Sequence, residues 1–235
     1  MRIKAVIFDF ANTLFNYEDF MSKSWAIEFQ ILRERGLKMP ADEYQRIRAK
    51  VLSSPNVGWR TERYWTTILA SLSEMVEQDP LGILREFDRR SKGLIMSTAK
   101  PYPETLNVVK KVKVMGLKIG ILANLTRWEG KLLDRFRLTP HFDSVVISEE
   151  VGVKKPDLQA FWLVLNNLSC QPEESVMIGD RYDTDIAPAK QIGMKTIRVK
   201  RGWFIHQRIV DESMRPDYEV ANLVEALKIV EGLVG

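Results

Sequence analysis

Five short runs of consecutive apolar residues punctuate the chain: Ala5–Phe8, Ile119–Ala123, Ser144–Ile147, Val176–Ile178 and Thr196–Val199. They are rich in Val and Ile, and most give way to polar residues at their C-terminal ends. A strand that is apolar on both faces belongs inside a parallel sheet covered by helices. Between the last four runs lie stretches of helical period, Arg127–Arg137, Asp157–Leu168 (opening after Pro156) and Asp183–Gln191. This alternation predicts an α/β fold, a doubly wound parallel sheet with right-handed crossovers. A last helix, Val220–Gly232, is expected to pack on the sheet.

The interval between the first two runs differs. Its pattern is helical throughout, with candidate helices Phe20–Arg35, Asp42–Leu52, Glu62–Glu77 and Leu81–Ser97. Gly36 and Pro40 separate the first two, Pro55, Asn56 and Gly58 mark a loop, and Pro101 and Pro103 close the block. A helical block inserted after the first strand predicts a small second domain. Residues 16–101 are assigned to it, and 1–15 with 102–235 to the sheet domain. Trp25, Tyr64 and Trp65 are expected to bury between its helices, and the Gly58–Arg60 loop, with Trp59, to serve specificity. Hinges are expected near Phe15–Glu18 and Ala99–Pro103.

Of the 235 residues, 45% are hydrophobic and 28% charged, which excludes disordered and fibrous classes. Cys170 is the sole cysteine, so no intrachain disulfide forms, and the isolated His141 and His206 leave no zinc-binding pattern. Thirty-five basic against 31 acidic residues give a net charge of +4. They interleave along the sequence, so a solvated surface is expected rather than a nucleic-acid face, and the run Arg198–Arg201 is read as solvated. No apolar run approaches the roughly 18 residues of a membrane span, and the N-terminus runs straight into a strand, so a cytoplasmic protein without membrane contact is expected.

Ligands of an open α/β sheet bind beyond the carboxyl ends of its strands. Asp9, Asn12 and Thr13 follow the first run, Asn124 and Thr126 the second, Lys154–Asp157 lie beyond the third, and Asp180, Asp183 and Asp185 follow the fourth. Carboxylates of this kind offer hard oxygens to Mg²⁺, a lysine neutralises phosphoryl charge, and a carboxylate nucleophile divides one difficult transfer into two. An isolated Asp at such a place is ordinarily a helix cap or turn residue, and Asp183 is divided evenly between that role and a functional one.

These segments together resemble the haloacid dehalogenase-like hydrolase superfamily over essentially the whole chain. The matching segments are Ala5–Leu14, Ile119–Asn124, Val151–Asp157 and Met177–Asp185, in order and each beyond a strand. The resemblance implies a Rossmann-like core with a helical cap, Mg²⁺ as cofactor, a phosphorylated small molecule as substrate, and a monomer or homodimer. It implies Asp9 as nucleophile and Lys155 as the lysine holding nucleophile and phosphate. Asp9, Asp180, Asp185 and the Ala11 carbonyl form the implied metal set, and Asn12, Thr13 and Asn124 join Lys155 around the phosphate. Two positions depart from the pattern. Ala11 stands where the family's phosphatases carry an acid/base Asp, and Ala123 where a hydroxyl is usual; Thr126 is a candidate substitute for the hydroxyl. Three readings follow: a slow Mg²⁺-dependent phosphatase, a phosphonatase-like enzyme using a cap lysine such as Lys50, or a relative that binds an anion or partner without turnover. A dehalogenase fits least, since those relatives usually carry an aromatic residue at the position of Ala11.

Overall fold

The computed structural model describes residues 2–52, 54, 57, 61–72 and 76–234. In chain order the elements are β1 (Ala5–Phe8), β2 (Phe15–Asn16), α1 (Glu18–Glu34), α2 (Ala41–Leu52), α3 (Glu62–Leu72), α4 (Pro80–Thr98), β3 (Lys100–Pro101), α5 (Thr105–Val114), β4 (Lys118–Ala123), α6 (Arg127–Arg135), β5 (Ser144–Ile147), α7 (Ser148–Val151), α8 (Leu158–Leu168), β6 (Ser175–Gly179), α9 (Ala187–Gln191), β7 (Lys195–Val199), β8 (Tyr218–Val220) and α10 (Leu223–Val234). Two compact units result, one of residues 2–17 and 100–234, the other of Glu18–Ala99. The division falls two residues from the expected boundary at either end. Phe15–Asn16 and Lys100–Pro101 form an antiparallel pair that belongs to the sheet unit.

The sheet has the order β5-β4-β1-β6-β7-β8 with every pair parallel. The α/β, doubly wound architecture expected from the apolar runs is therefore present. All four residues of β1 are fully buried. Ala5 and Ile7 meet Phe161, Val164, Leu165 and Leu168 of α8, so alternation turns Val6 and Phe8 to the opposite face. The chain goes from β1 to β4 on one side and returns through β6 on the other, which puts the switch point at the carboxyl end of β1. Register aligns Phe8 with Ile178 of β6 and Ile121 of β4, and the ladder continues as the Asp9 N–H donates to the Ile178 carbonyl at 2.8 Å.

In the helical unit the expected four helices are present, the described part of α3 ending at Leu72. Tyr64 and Trp65 are buried, and Phe87 lies between the rings of Phe20 and Trp65 at 6.4 and 5.8 Å. Trp25 is half-buried. A buried charge crosses this unit: Glu28 accepts from Arg48 Nε at 2.8 Å and from the hydroxyls of Tyr44 and Tyr64 at 2.8 and 2.6 Å. The Gly58–Arg60 loop, with Pro55 and Asn56, lies outside the described residues.

Among the elements with no counterpart in the sequence reading are α5, the edge strand β8, the short helix α7 and the β2–β3 pair. The stretch read as one helix, Asp183–Gln191, is a π-helical turn, Tyr182–Ile186, followed by α9. Pro188 lacks the N–H that an unbroken α-helix would use there, and the Ile186 N–H reaches back to the Arg181 carbonyl at 3.2 Å.

Candidate active site

Strand register brings the chemistry together. Asp9 leaves β1 beside Asp180, which leaves β6, and the π-helical turn folds Asp185 back toward both. One carboxylate oxygen from each lies within 4.8 Å of the others. The cluster is buried: Asp9 is 7% exposed, Asp180 2%, Asp185 1% and Lys155 3%. Lys155 Nζ donates to Asp9 Oδ1 and to Asp185 Oδ1, both at 2.6 Å. The other oxygen of Asp185 accepts from the Arg181 N–H at 3.0 Å. Gly179 makes room for it, since a Cβ there would fall 2.5 Å from Asp185 Oδ2.

Three carboxylates and one ammonium leave a formal surplus of two negative charges in a largely buried space. Burial, followed by repulsion from Asp185, pushes the Asp9 carboxyl up to about 6 even with Lys155 opposing. Burial and the charges of Asp9 and Asp185 raise Asp180 well above the carboxylate range. On Lys155 burial works against the charge, but Asp185 and Asp9 outweigh it and lift the ammonium to about 12. Hard oxygen donors with two uncompensated charges fit a divalent cation such as Mg²⁺.

The turn after β1 is tightly closed. Leu14 N and Phe15 N both donate to the Phe10 carbonyl, at 3.0 and 2.9 Å, and Asn12 N donates to the Phe15 carbonyl at 2.6 Å. The Asn12 backbone N–H thus closes this turn. Asn12 has a left-handed φ of 59°, which Asn tolerates better than most residues, and its side-chain Nδ2 approaches Asp180 Oδ2 at 3.4 Å. The hydroxyl of Thr13 is buried with no hydrogen-bond partner among the described residues.

Asn124 and Thr126 have roles that the sequence reading did not give them. Asn124 grips the Lys155 backbone from both sides, its Nδ2 donating to the carbonyl and its Oδ1 accepting from the N–H, each at 2.8 Å. It thereby sets where the lysine side chain begins. Thr126 does not stand in for the hydroxyl missing at Ala123: it precedes α6, and its N–H and Oγ1 both donate to Glu129 Oε2, at 3.0 and 2.7 Å. Asp157 caps α8 by accepting from Gln159 N at 2.9 Å. Asp183 is paired with Arg181 at 2.6 Å and accepts from Gln207 at 2.8 Å, apart from the carboxylate trio.

The reading of Arg198–Arg201 as a solvated run is corrected. Arg198 is 1% exposed, and it contacts the backbone of Asp180. The signal was present in the sequence, since Arg198 also sits inside the apolar run Thr196–Val199.

A profile of the haloacid dehalogenase-like hydrolases matches residues 3–193. The chain is 30% identical over 236 residues to a glyceraldehyde 3-phosphate phosphatase of Methanocaldococcus jannaschii, covering 98% of each chain. It is 29% identical over 236 residues to a glyceraldehyde 3-phosphate phosphatase of Methanopyrus kandleri, again covering 98% of each. The crystal structure of a HAD phosphatase from Thermococcus onnurineus superposes with a TM-score of 0.66 at 23% identity, over 98% of this chain and 99% of that one. The chain belongs to the haloacid dehalogenase-like hydrolase family, among its phosphohydrolases.

Proposed function

We propose that the protein hydrolyses a phosphorylated small molecule with Mg²⁺, through an aspartyl-phosphate formed on Asp9. The observation that carries this reading is the buried contact of Lys155 with Asp9 at 2.6 Å, beside two further carboxylates. Asp9, Asp180, Asp185 and the Ala11 carbonyl would hold Mg²⁺, whose charge would neutralise phosphoryl oxygens and orient the transferred group. Asp9 attacks phosphorus with one carboxylate oxygen and the leaving group departs on the opposite side. Lys155 holds Asp9 in place and offers its positive charge to the equatorial oxygens. The Thr13 hydroxyl, buried without a partner among the described residues, supports a role in phosphate binding, because a buried hydroxyl is ordinarily satisfied. Water then cleaves the acyl phosphate and restores Asp9.

Ala11 supplies no acid or base, so hydrolysis of esters with poor leaving groups is slow on this reading. Glyceraldehyde 3-phosphate, the substrate named for the two archaeal relatives, is the first compound to test beside an aryl phosphate. Lys50, the lysine needed by the phosphonatase-like alternative, is exposed on α2 and lacks the desolvation that activates imine-forming amines. The test is release of phosphate from both compounds with Mg²⁺ and with chelator, together with a crystal soaked in Mg²⁺ and beryllofluoride. Turnover that needs Mg²⁺ and beryllofluoride density on Asp9 are expected. Turnover unaffected by chelator, or beryllofluoride absent from Asp9, refutes the mechanism.

A further inference from the structure

Arg198 occupies a strand position that is closed to water, where a parallel sheet ordinarily carries Val or Ile. Burying a guanidinium without partners is prohibitive, and here nearly all of its donors are engaged. Nε donates to the Asp180 carbonyl at 3.0 Å, Nη1 to the Tyr182 hydroxyl at 2.8 Å and to Glu219 Oε1 at 3.1 Å, and Nη2 to the Phe204 carbonyl at 2.6 Å. Its carbon centre lies 3.8 Å from the centroid of the Tyr182 ring. Register explains the reach: Arg198 pairs with Gly179, so its side chain needs to extend only one residue further to meet Asp180.

We propose that Arg198 is a positioning residue for Asp180, fixing the backbone from which that carboxylate approaches Mg²⁺. The proposal rests on the reading of Asp180 as a metal ligand. Among the described residues no other side chain donates to the Asp180 carbonyl, and the Asp180 carboxylate is approached on the other side by Asn12 Nδ2 at 3.4 Å. The same guanidinium holds the loop after β7 through Phe204, and Gly202 of that loop lies against Asn12, where a Cβ would fall 2.5 Å from the amide carbon. One side chain thus ties together the metal-ligand strand end, the π-helical turn and the loop backing Asn12. Groups that orient metal ligands in this way commonly alter metal affinity about 10- to 100-fold when removed.

Arg198→Lys keeps a positive charge but loses the planar fork, so it cannot serve all four acceptors. Arg201→Lys is the control: Arg201 binds the Ala221 carbonyl and Glu104 and lies over Tyr102, without touching Asp180. Mg²⁺ affinity is read by calorimetry on the substrate-free full chain, and thermal unfolding and substrate KM at saturating Mg²⁺ are read alongside. Arg198→Lys is expected to weaken Mg²⁺ binding about 10-fold or more with KM within about 2-fold, while Arg201→Lys loses stability only. A folded Arg198→Lys protein with unchanged Mg²⁺ affinity overturns the proposal. Should that variant fail to fold, Tyr182→Phe removes one anchor of the guanidinium and keeps the ring; weaker Mg²⁺ binding supports the proposal and unchanged binding overturns it. A wild-type chain that binds no Mg²⁺ overturns the metal reading itself, and is thereby distinguished from a failure of Arg198 alone.

Discussion

The Asp9 carboxylate accepts from Lys155 through Oδ1. Asp9→Asn keeps the shape and lets the amide oxygen still accept from Lys155, but it removes the proposed nucleophile. Mg²⁺-dependent phosphate release should fall more than about 10³-fold with the circular dichroism spectrum unchanged; activity within 10-fold of wild type, roughly, excludes covalent attack by Asp9. Ala11 makes the converse prediction. It is half-buried two residues after Asp9, and Ala11→Asp should raise steady-state hydrolysis of alkyl phosphates by at least about 10-fold, because an acid then protonates the departing oxygen. Aryl phosphates, whose leaving groups need little protonation, should gain less, and equal gains for both classes would remove the acid/base explanation. Arg198 shows what was legible at this scale and what was not. A basic residue in a buried strand satisfied two patterns at once, a solvated charge run and an apolar run, and only the tertiary partners Asp180, Tyr182 and Glu219 decide between them. Asn124 carried the same ambiguity, because nothing along the chain reveals that Lys155 lies beside it.

Whole elements were readable where one face repeats. The five buried strands and the helices α1, α2, α3, α4, α6, α8 and α10 follow from apolar periodicity. β8 was not readable, since two of its three residues are exposed and an edge strand needs no apolar run. α5 buries Thr105, Val108, Val109 and Val112 at helical spacing, but β-branched residues carry weak helix propensity and packing decides their state. The π-helical turn escaped because a side-chain pattern cannot report which carbonyl an N–H reaches. Two glycines separate packing between elements from geometry at the site. A Cβ on Gly120 would lie 2.9 Å from Val164 Cγ2 and 3.0 Å from Leu168 Cδ1, between β4 and α8. Gly120→Ala should lower stability in urea unfolding by about 1–3 kcal/mol and leave Mg²⁺ affinity intact. Gly179→Ala forces Asp185 away from Lys155 and the Arg181 N–H, so it should lose Mg²⁺ affinity as well. Equal Mg²⁺ affinity in the two variants would contradict the assignment of Asp185 to the metal site.

For the whole molecule, the carboxylate cluster couples folding to pH and, on the proposed assignment, to metal. Folding lifts Asp9 to about 6 and Asp180 well above the ordinary range, both chiefly by burial. In the unfolded chain each titrates near 3.9. Between those values the folded state holds more protons than the unfolded state, so stability falls as pH rises through this window. Acids that folding lowers, such as Glu104 and Asp143, have the opposite sign, but their contribution is complete above the unfolded carboxylate values and is flat beyond about pH 5. Lys155, at about 12, does not titrate there either. Chelated protein should therefore unfold a few degrees lower at about pH 7.5 than at about pH 5. On the proposed assignment Mg²⁺ binding needs the ionised carboxylates and displaces their protons, so millimolar Mg²⁺ should raise the unfolding temperature more at the higher pH. Asp9→Asn should flatten part of the slope in chelator, because its amide does not ionise. An Mg²⁺ shift of the same size at both pH values, measured by differential scanning calorimetry, would mean that these carboxylates do not hold the cation.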